Sequence, residues 1–296
     1  MLARNGGAST ISALSRPRIT RFRLAVLVVC CIATAAAAQD FGDSSILMNA
    51  RYPTPDSFGH GFNFCRALYT SSSEVRDVGG MGWATDYPNA DRNFSVRLAE
   101  MTGTRVTRIL ARDGTKREPE FLVIRLAGDA LFQCPFLHIE DVGWAAFTDI
   151  EVTKLQQYLR KGGFLWVDDF WGERAWVNWE RELRKVLPAS EYPIVDIPPS
   201  DPIFHSQFDI KQVPQIPSLQ YWSATGGGIS ERGPDSAEPH FRGIYGPNGN
   251  LMVVMTHNTD ISDAWEREGD DPRFFYSFSP RGYAFGVNVL VYALTH

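Results

Sequence analysis

Thr148-Asp149-Ile150-Glu151-Val152-Thr153-Lys154-Leu155-Gln156-Gln157-Tyr158-Leu159-Arg160-Lys161-Gly162-Gly163-Phe164-Leu165-Trp166-Val167-Asp168-Asp169 decides the fold. Thr148 and Glu151 stand at N-cap and N3 of a capping box, which starts a helix. Val152, Leu155 and Leu159 form its apolar stripe, and Gly162-Gly163 stops it. Phe164-Leu165-Trp166-Val167 then runs on as a strand apolar on both faces. A second helix is expected at about 174–187. Helix, glycine stop, buried strand and helix imply an α/β domain: a mostly parallel sheet with helices on both faces.

Working outward, residues 62–69 read as a first strand. Asn89 or Asp91 can cap a helix carrying Phe94, Leu98 and Met101, ended by Gly103. Further strands are expected at 104–110, 121–126, 135–139, 192–197 and 251–256, and a closing helix at 286–294. Residues 198–250 hold eight Pro and seven Gly. That is too long for a plain loop in a compact domain, so it is either a functional flap or contains short strands.

The N-terminus reads differently. Arg4, Arg16, Arg18, Arg21 and Arg23 precede an apolar run at 24–32 and a small-residue end at 33–38, with no acid before Asp40. These are the parts of a secretory signal peptide cleaved after Ala38, with an uncleaved anchor as the alternative. Residues 39–60 form a lead-in, and 61–296 one domain with the insertion at 198–250. Export implies a periplasmic or secreted protein, or one held at the inner membrane by this segment. Losing five arginines and no acids takes the net charge from −5 to −10. That excludes a general nucleic-acid binder. Only one stretch is apolar enough to consider as a span, so membrane contact is expected only through the N-terminal segment, if it stays uncleaved. Cys65 and Cys134 remain, either as one disulfide or as two buried thiols.

Three stretches are distinctive together: residues 83–94 (Trp83-Ala84-Thr85-Asp86-Tyr87-Pro88 and onward); Pro135-Phe136-Leu137 with 155–165 and Asp168-Asp169; and Asp260-Ile261-Ser262-Asp263-Ala264-Trp265-Glu266 with 286–295. Over roughly 62–296 the chain resembles the bacterial exported family called domain of unknown function 4159. The resemblance implies a flavodoxin-like sheet similar to that of class I glutamine amidotransferases. It lends no established activity. Where relatives often show a Gly-rich turn, this chain has Glu140-Asp141-Val142-Gly143-Trp144.

An amidotransferase needs a Cys on a tight, glycine-flanked strand-to-helix turn. Neither Cys65 nor Cys134 sits on one, and there is no Gly-x-Ser-x-Gly. In open parallel sheets ligands bind beyond the carboxyl ends of the strands. Those ends carry Glu140, Asp141, Asp168, Asp169, Asp260 and Asp263, with Asp86 and Asp91 after the first strand. Asp168 is expected to face the cleft and Asp169 to cap the next helix, unless a turn reverses the two. Trp83, Tyr87, Trp171 and Trp265 are candidate ligand contacts beside these acids, whereas Trp176 and Trp179 read as core. Asp168, Asp169, His205, His257, Asp260 and Asp263 are candidate ligands for a divalent metal; the alternative is that these Asp residues merely cap helices. The leading expectation is a non-catalytic envelope module that binds a glycan or another envelope protein. The alternative is a metal-assisted hydrolase acting on a cell-envelope glycan or peptide. A third is an assembly factor docking a basic partner through its acidic surface.

Overall fold

The computed structural model describes residues 2, 46–72, 81–110 and 114–296. Apart from residue 2, the stretch read above as a signal peptide or anchor lies outside them. The chain divides into two compact units, Met1–Ala50 and Arg51–His296. Within the described residues no helix is long and apolar enough to cross a membrane.

The second unit is built on a seven-stranded sheet. Five strands are parallel: β1 (Phe64–Leu68), β4 (Phe121–Arg125), β5 (Phe136–Glu140), β6 (Phe164–Phe170) and β9 (Leu251–His257). β8 (His240–Tyr245) joins β9 antiparallel, and the short β7 (Val195–Asp196) joins β8 at the edge. The spatial order is β4-β1-β5-β6-β9-β8-β7. Renumbered among themselves, the parallel strands follow the 2-1-3-4-5 order of flavodoxin-like sheets, whose switch point lies between the first and third strands. Here that is the gap between β1 and β5.

The helices cover both faces. On one face, α1 (Asn89–Thr102) and α6 (Pro272–Thr295) bury Phe94, Leu98, Phe274 and Phe285 against Phe64, Phe136, Phe164 and Trp166. On the other lie α2 (Asp149–Arg160) and α3 (Gly172–Val186), where Trp179 Nε1 donates to Met255 Sδ at 3.2 Å. The capping box of α2 is formed as expected, with Thr148 accepting from the Glu151 amide. The double glycine that follows has two separate jobs. Gly162 adopts φ 91°, and a Cβ on Gly163 would sit 2.3 Å from the Tyr158 ring. The first needs the left-handed region and the second needs bare backbone under an aromatic ring.

Some local expectations are corrected. Neither Asn89 nor Asp91 caps α1. Pro88 holds the N-cap position without a side-chain bond, and Asp91 turns inward. The strand expected at 104–110 shortens to β2 (Arg108–Leu110), paired only with β3 (Arg117–Pro119) in a separate ribbon. The segment 198–250 is structured. It supplies α4 (Leu219–Thr225), one-turn 3-10 helices and β8, which pairs along β9. Trp179 is fully buried, but Trp176 is only half-buried, with the Arg242 guanidinium 4.2 Å from its ring centroid.

Of the two readings for the cysteines, the disulfide is the one formed. Cys65 and Cys134 are bonded, with Cα atoms 6.3 Å apart, tying β1 to the approach of β5. The bridge spans 69 residues. Reduction, or Cys65→Ser, should cost roughly 2–4 kcal/mol because it frees a long loop in the unfolded chain. Urea denaturation with and without reductant measures this.

Candidate functional site

A buried charged network underlies the sheet's carboxyl edge. Arg66 on β1 is fully buried. Its Nε donates to both Asp91 oxygens at 2.9 and 3.0 Å, and its Nη1 to the Thr85 carbonyl at 2.8 Å. Its two Nη atoms also pair with Glu140. His138 Nε2 lies 2.8 Å from Glu140 Oε1 and 3.1 Å from Ser262 Oγ. Ser262 in turn donates from N and Oγ to Asp168 Oδ2, each at 3.1 Å, and Thr256 Oγ1 donates to Asp168 Oδ1. Burial would raise Glu140, but Arg66 and His138 outweigh it and hold its carboxyl at about 2. Burial pushes Asp168 up to about 6.

Asp91, Glu140 and Asp168 are therefore carboxylates with donors inside a buried network and do not line a cleft; His138 Nδ1 is the atom of that network left without a partner among the described residues. Sequence reasoning missed Arg66, His138 and Ser262 as their partners. Ser262, His138 and Glu140 have the residue types of a hydrolase triad. However, both bonds use the same imidazole nitrogen, and all three side chains are fully buried. A triad needs one nitrogen for each neighbour and a hydroxyl open to substrate, so this is not one. Cys65 and Cys134 are committed to the disulfide and supply no thiolate.

Above this network lies a cavity of about 230 Å³. Its described lining has seven acids (Asp86, Asp141, Asp169, Glu231, Asp260, Asp263 and Glu266) against two cations, Arg232 and Arg267. Trp171 forms a wall, and Thr85, Ser218 and Gln220 add polar groups. The acids come from five chain segments: the loop after β1, the end of β5, the end of β6, the loop after α4 (Glu231), and the loop and single helical turn after β9, α5 (Asp263–Glu266).

Three of these acids hold the left-handed backbone region: Asp86 at φ 61°, Asp141 at 50° and Asp169 at 49°; nearby Asn258 does so at 63°. Asp and Asn tolerate that region best among non-glycine residues, and its concentration at one edge is typical of functional sites. On β6 it has a direct consequence. Pairing with β9 slips between Val167 and Phe170. Asp168 keeps its register opposite Glu140 and faces the network on the same side as Trp166, while Asp169, in the left-handed region at the slip, turns into the cavity, so the expected roles of the two are exchanged. Asp169 does not cap α3; its Oδ1 accepts from Trp171 Nε1 at 2.9 Å, and the Gly172 amide donates to Asn258 Oδ1.

The acids differ in how well they are partnered. Asp141 Oδ2 accepts from the Gly82 amide at 2.8 Å. Asp260 Oδ1 accepts from Asp263 N, and Asp263 Oδ2 from Leu219 N, both at 2.8 Å. Glu231 accepts from Ser218 N at 2.7 Å. Asp86 Oδ2 is buried with no hydrogen-bond partner among the described residues. Burial, then the crowd of like charges, pushes Asp86, Asp169 and Asp260 well up, and Asp263 up to about 7. Asp141 and Glu266 are raised too, chiefly by burial.

The other candidate residues lie elsewhere. Trp83 packs on Tyr87 at 5.8 Å, and Tyr87 on Phe121, so both cover core. Trp265 is fully buried, with its ring 4.4 Å from Phe94. His205 is on the surface, bonded to Asp209 and the Pro199 carbonyl. His257 stacks on Phe170 and His240 and lines a separate cavity of about 410 Å³ with Trp176 and Arg242. Arginines there are paired with acids, Arg184 with Glu180 and Arg242 with Asp196, both at 3.2 Å. The smaller cavity, with its excess of acids, is the stronger site. Glu266 was missed as part of it, although Asp260, Asp263 and Glu266 recur every three residues and could have flagged one turn facing one way.

No curated protein matches the chain. The model of a family described as a domain of unknown function (DUF4159) matches residues 72–294, and the chain belongs to that family.

Proposed function

We propose that the protein is an exported binding module whose ligand site is the acidic cavity at the carboxyl edge of the sheet. The observation that carries this is the gathering of seven acids against two arginines in about 230 Å³. Single hydrogen bonds to Asp141, Asp169, Glu231, Asp260 and Asp263 serve local structure, but they leave the excess of negative charge over the two arginines uncompensated. Uncompensated buried charge is costly, and its retention at one edge points to a ligand. The ligand class that fits is polar and hydroxyl-bearing or cationic, such as a glycan or peptide of the cell envelope. A metal-assisted hydrolase of such a substrate is the second reading, favoured by the close approach of Asp86, Asp260 and Asp263.

Calorimetric titration of the purified protein with soluble envelope glycans and muropeptides tests the proposal. Saturable binding is expected, weakened about tenfold or more by Trp171→Ala and by Asp169→Asn, which keeps the shape and tolerates the left-handed backbone. Absence of binding, or unchanged binding in both variants, would refute it.

A further inference from the structure

We infer that Asp86, Asp260 and Asp263 bind a hard divalent cation, Mg²⁺ or Ca²⁺, in this cavity. The inference rests on reading this edge as a binding site. One carboxyl oxygen from each residue lies within 4.8 Å of the other two. Oxygens at about 2.3–2.6 Å from a shared Ca²⁺ are at most about 5 Å apart, so the three reach Ca²⁺ with little rearrangement, and Mg²⁺, at about 2.0–2.1 Å, if they close to about 4 Å. The donor set is all oxygen, with neither imidazole nor thiolate, which suits hard ions.

A cluster of acids alone proves little. The separate observation is Asp86. Its residue is only 7% exposed, yet its Oδ2 meets no donor among the described residues. A carboxylate sealed from water without a partner is among the costliest arrangements in a protein. Its neighbours increase the cost, because Asp260 and Asp263 each bring a carboxyl oxygen within 4.8 Å of it and Glu266 adds another acid to the same cavity. A proton or a cation must lie between such groups. Arg267 does not fill that place for Asp86. It lies 2.7 Å from Glu266, 3.4 Å from Asp270 and 3.5 Å from Asp263. A divalent ion among Asp86, Asp260 and Asp263 would compensate all three carboxylates, with Glu266 as a further oxygen donor.

The test uses the full-length protein, freed of metal by chelator, with MgCl₂, CaCl₂ and ZnCl₂ as separate probes. One-site binding of Mg²⁺ or Ca²⁺ with a rise in melting temperature is expected, and the two ions distinguish the size of the site. Asp86→Asn and Asp260→Asn should each weaken that binding about tenfold or more. Both should stay folded, by circular dichroism, and melt no lower than the cation-free wild type, since each replaces a buried acid by a neutral amide of the same shape. Asp209→Asn, at the surface, should bind as wild type. No binding of Mg²⁺ or Ca²⁺, or binding that survives both cavity substitutions, would overturn the inference. Zn²⁺ binding that survives them places a metal elsewhere and also counts against it. Glycan binding without cation binding would overturn this inference and leave the module standing; cation binding without glycan binding would do the reverse.

Discussion

Arg66→Met is expected to destabilise the protein by roughly 3–5 kcal/mol, a large share of a domain's stability. The substitution keeps length and apolar volume but removes the only guanidinium bonded to both Asp91 and Glu140 among the described residues. Both carboxylates are fully buried. They would stay charged without compensation or take up protons, and either outcome disfavours the native state. Arg66→Lys should recover little, because a point ammonium cannot fork to Asp91, Glu140 and the Thr85 carbonyl together. Removing the charges as a set, with Arg66→Met, Asp91→Leu and Glu140→Gln, should restore much of the loss. Denaturant unfolding of the three variants measures this. An Arg66→Met protein within about 1 kcal/mol of wild type would show that the network does not hold the fold.

The cation-free protein should lose stability as pH rises from about 4.5 to 8. Asp86, Asp141, Asp169, Asp260 and Asp263 are all raised, chiefly by burial, and Asp263 reaches about 7. In the unfolded chain an Asp titrates near 3.9. Between those values the folded state holds protons that the unfolded state has released, so ΔG of unfolding falls with rising pH. For Asp263 alone, each pH unit between its unfolded and folded values costs about 1.4 kcal/mol. Glu140 works the other way. Held at about 2, it stabilises the fold above its unfolded value, and that contribution is lost as pH falls. Cation-free stability should therefore peak in mild acid, near pH 4–5. Saturating Mg²⁺ or Ca²⁺ should remove the decline above that peak. Urea midpoints across the range, with chelator and with cation, check both halves. A cation-free stability that is flat or rises from pH 5 to 8 would count against buried protonated acids.

The legible parts of the molecule are those where one local rule acts alone. The capping box at Thr148 and Glu151, the glycine stop at Gly162 and the buried strand beyond it each follow from short-range chemistry. Together they require a parallel sheet. That sheet brings Asp141, Asp169, Asp260 and Asp263 to one edge, because strand ends in such a sheet point the same way. What stays hidden depends on partners distant in the chain. Arg66 sits in the apolar-looking run Phe64-Cys65-Arg66-Ala67-Leu68, where nothing local shows that Asp91 and Glu140 will meet it. Asp168 follows the regular alternation of β6, but Asp169 turns into the cavity at a slip in pairing with β9, a property of two strands rather than one. Trp265 reads as a rim aromatic beside two acids. It is core because α1 lies across it, with Asn93 Nδ2 donating to its carbonyl at 2.8 Å. Asp86 appears as one more loop acid until the missing donor for its buried Oδ2 singles it out.

The most direct measurement is the anomalous difference density from a crystal of the protein grown with Mn²⁺ in place of Mg²⁺. The account predicts a single strong peak about 2.2 Å from one oxygen each of Asp86, Asp260 and Asp263. A map without density there, or with its peak at other residues, would contradict it.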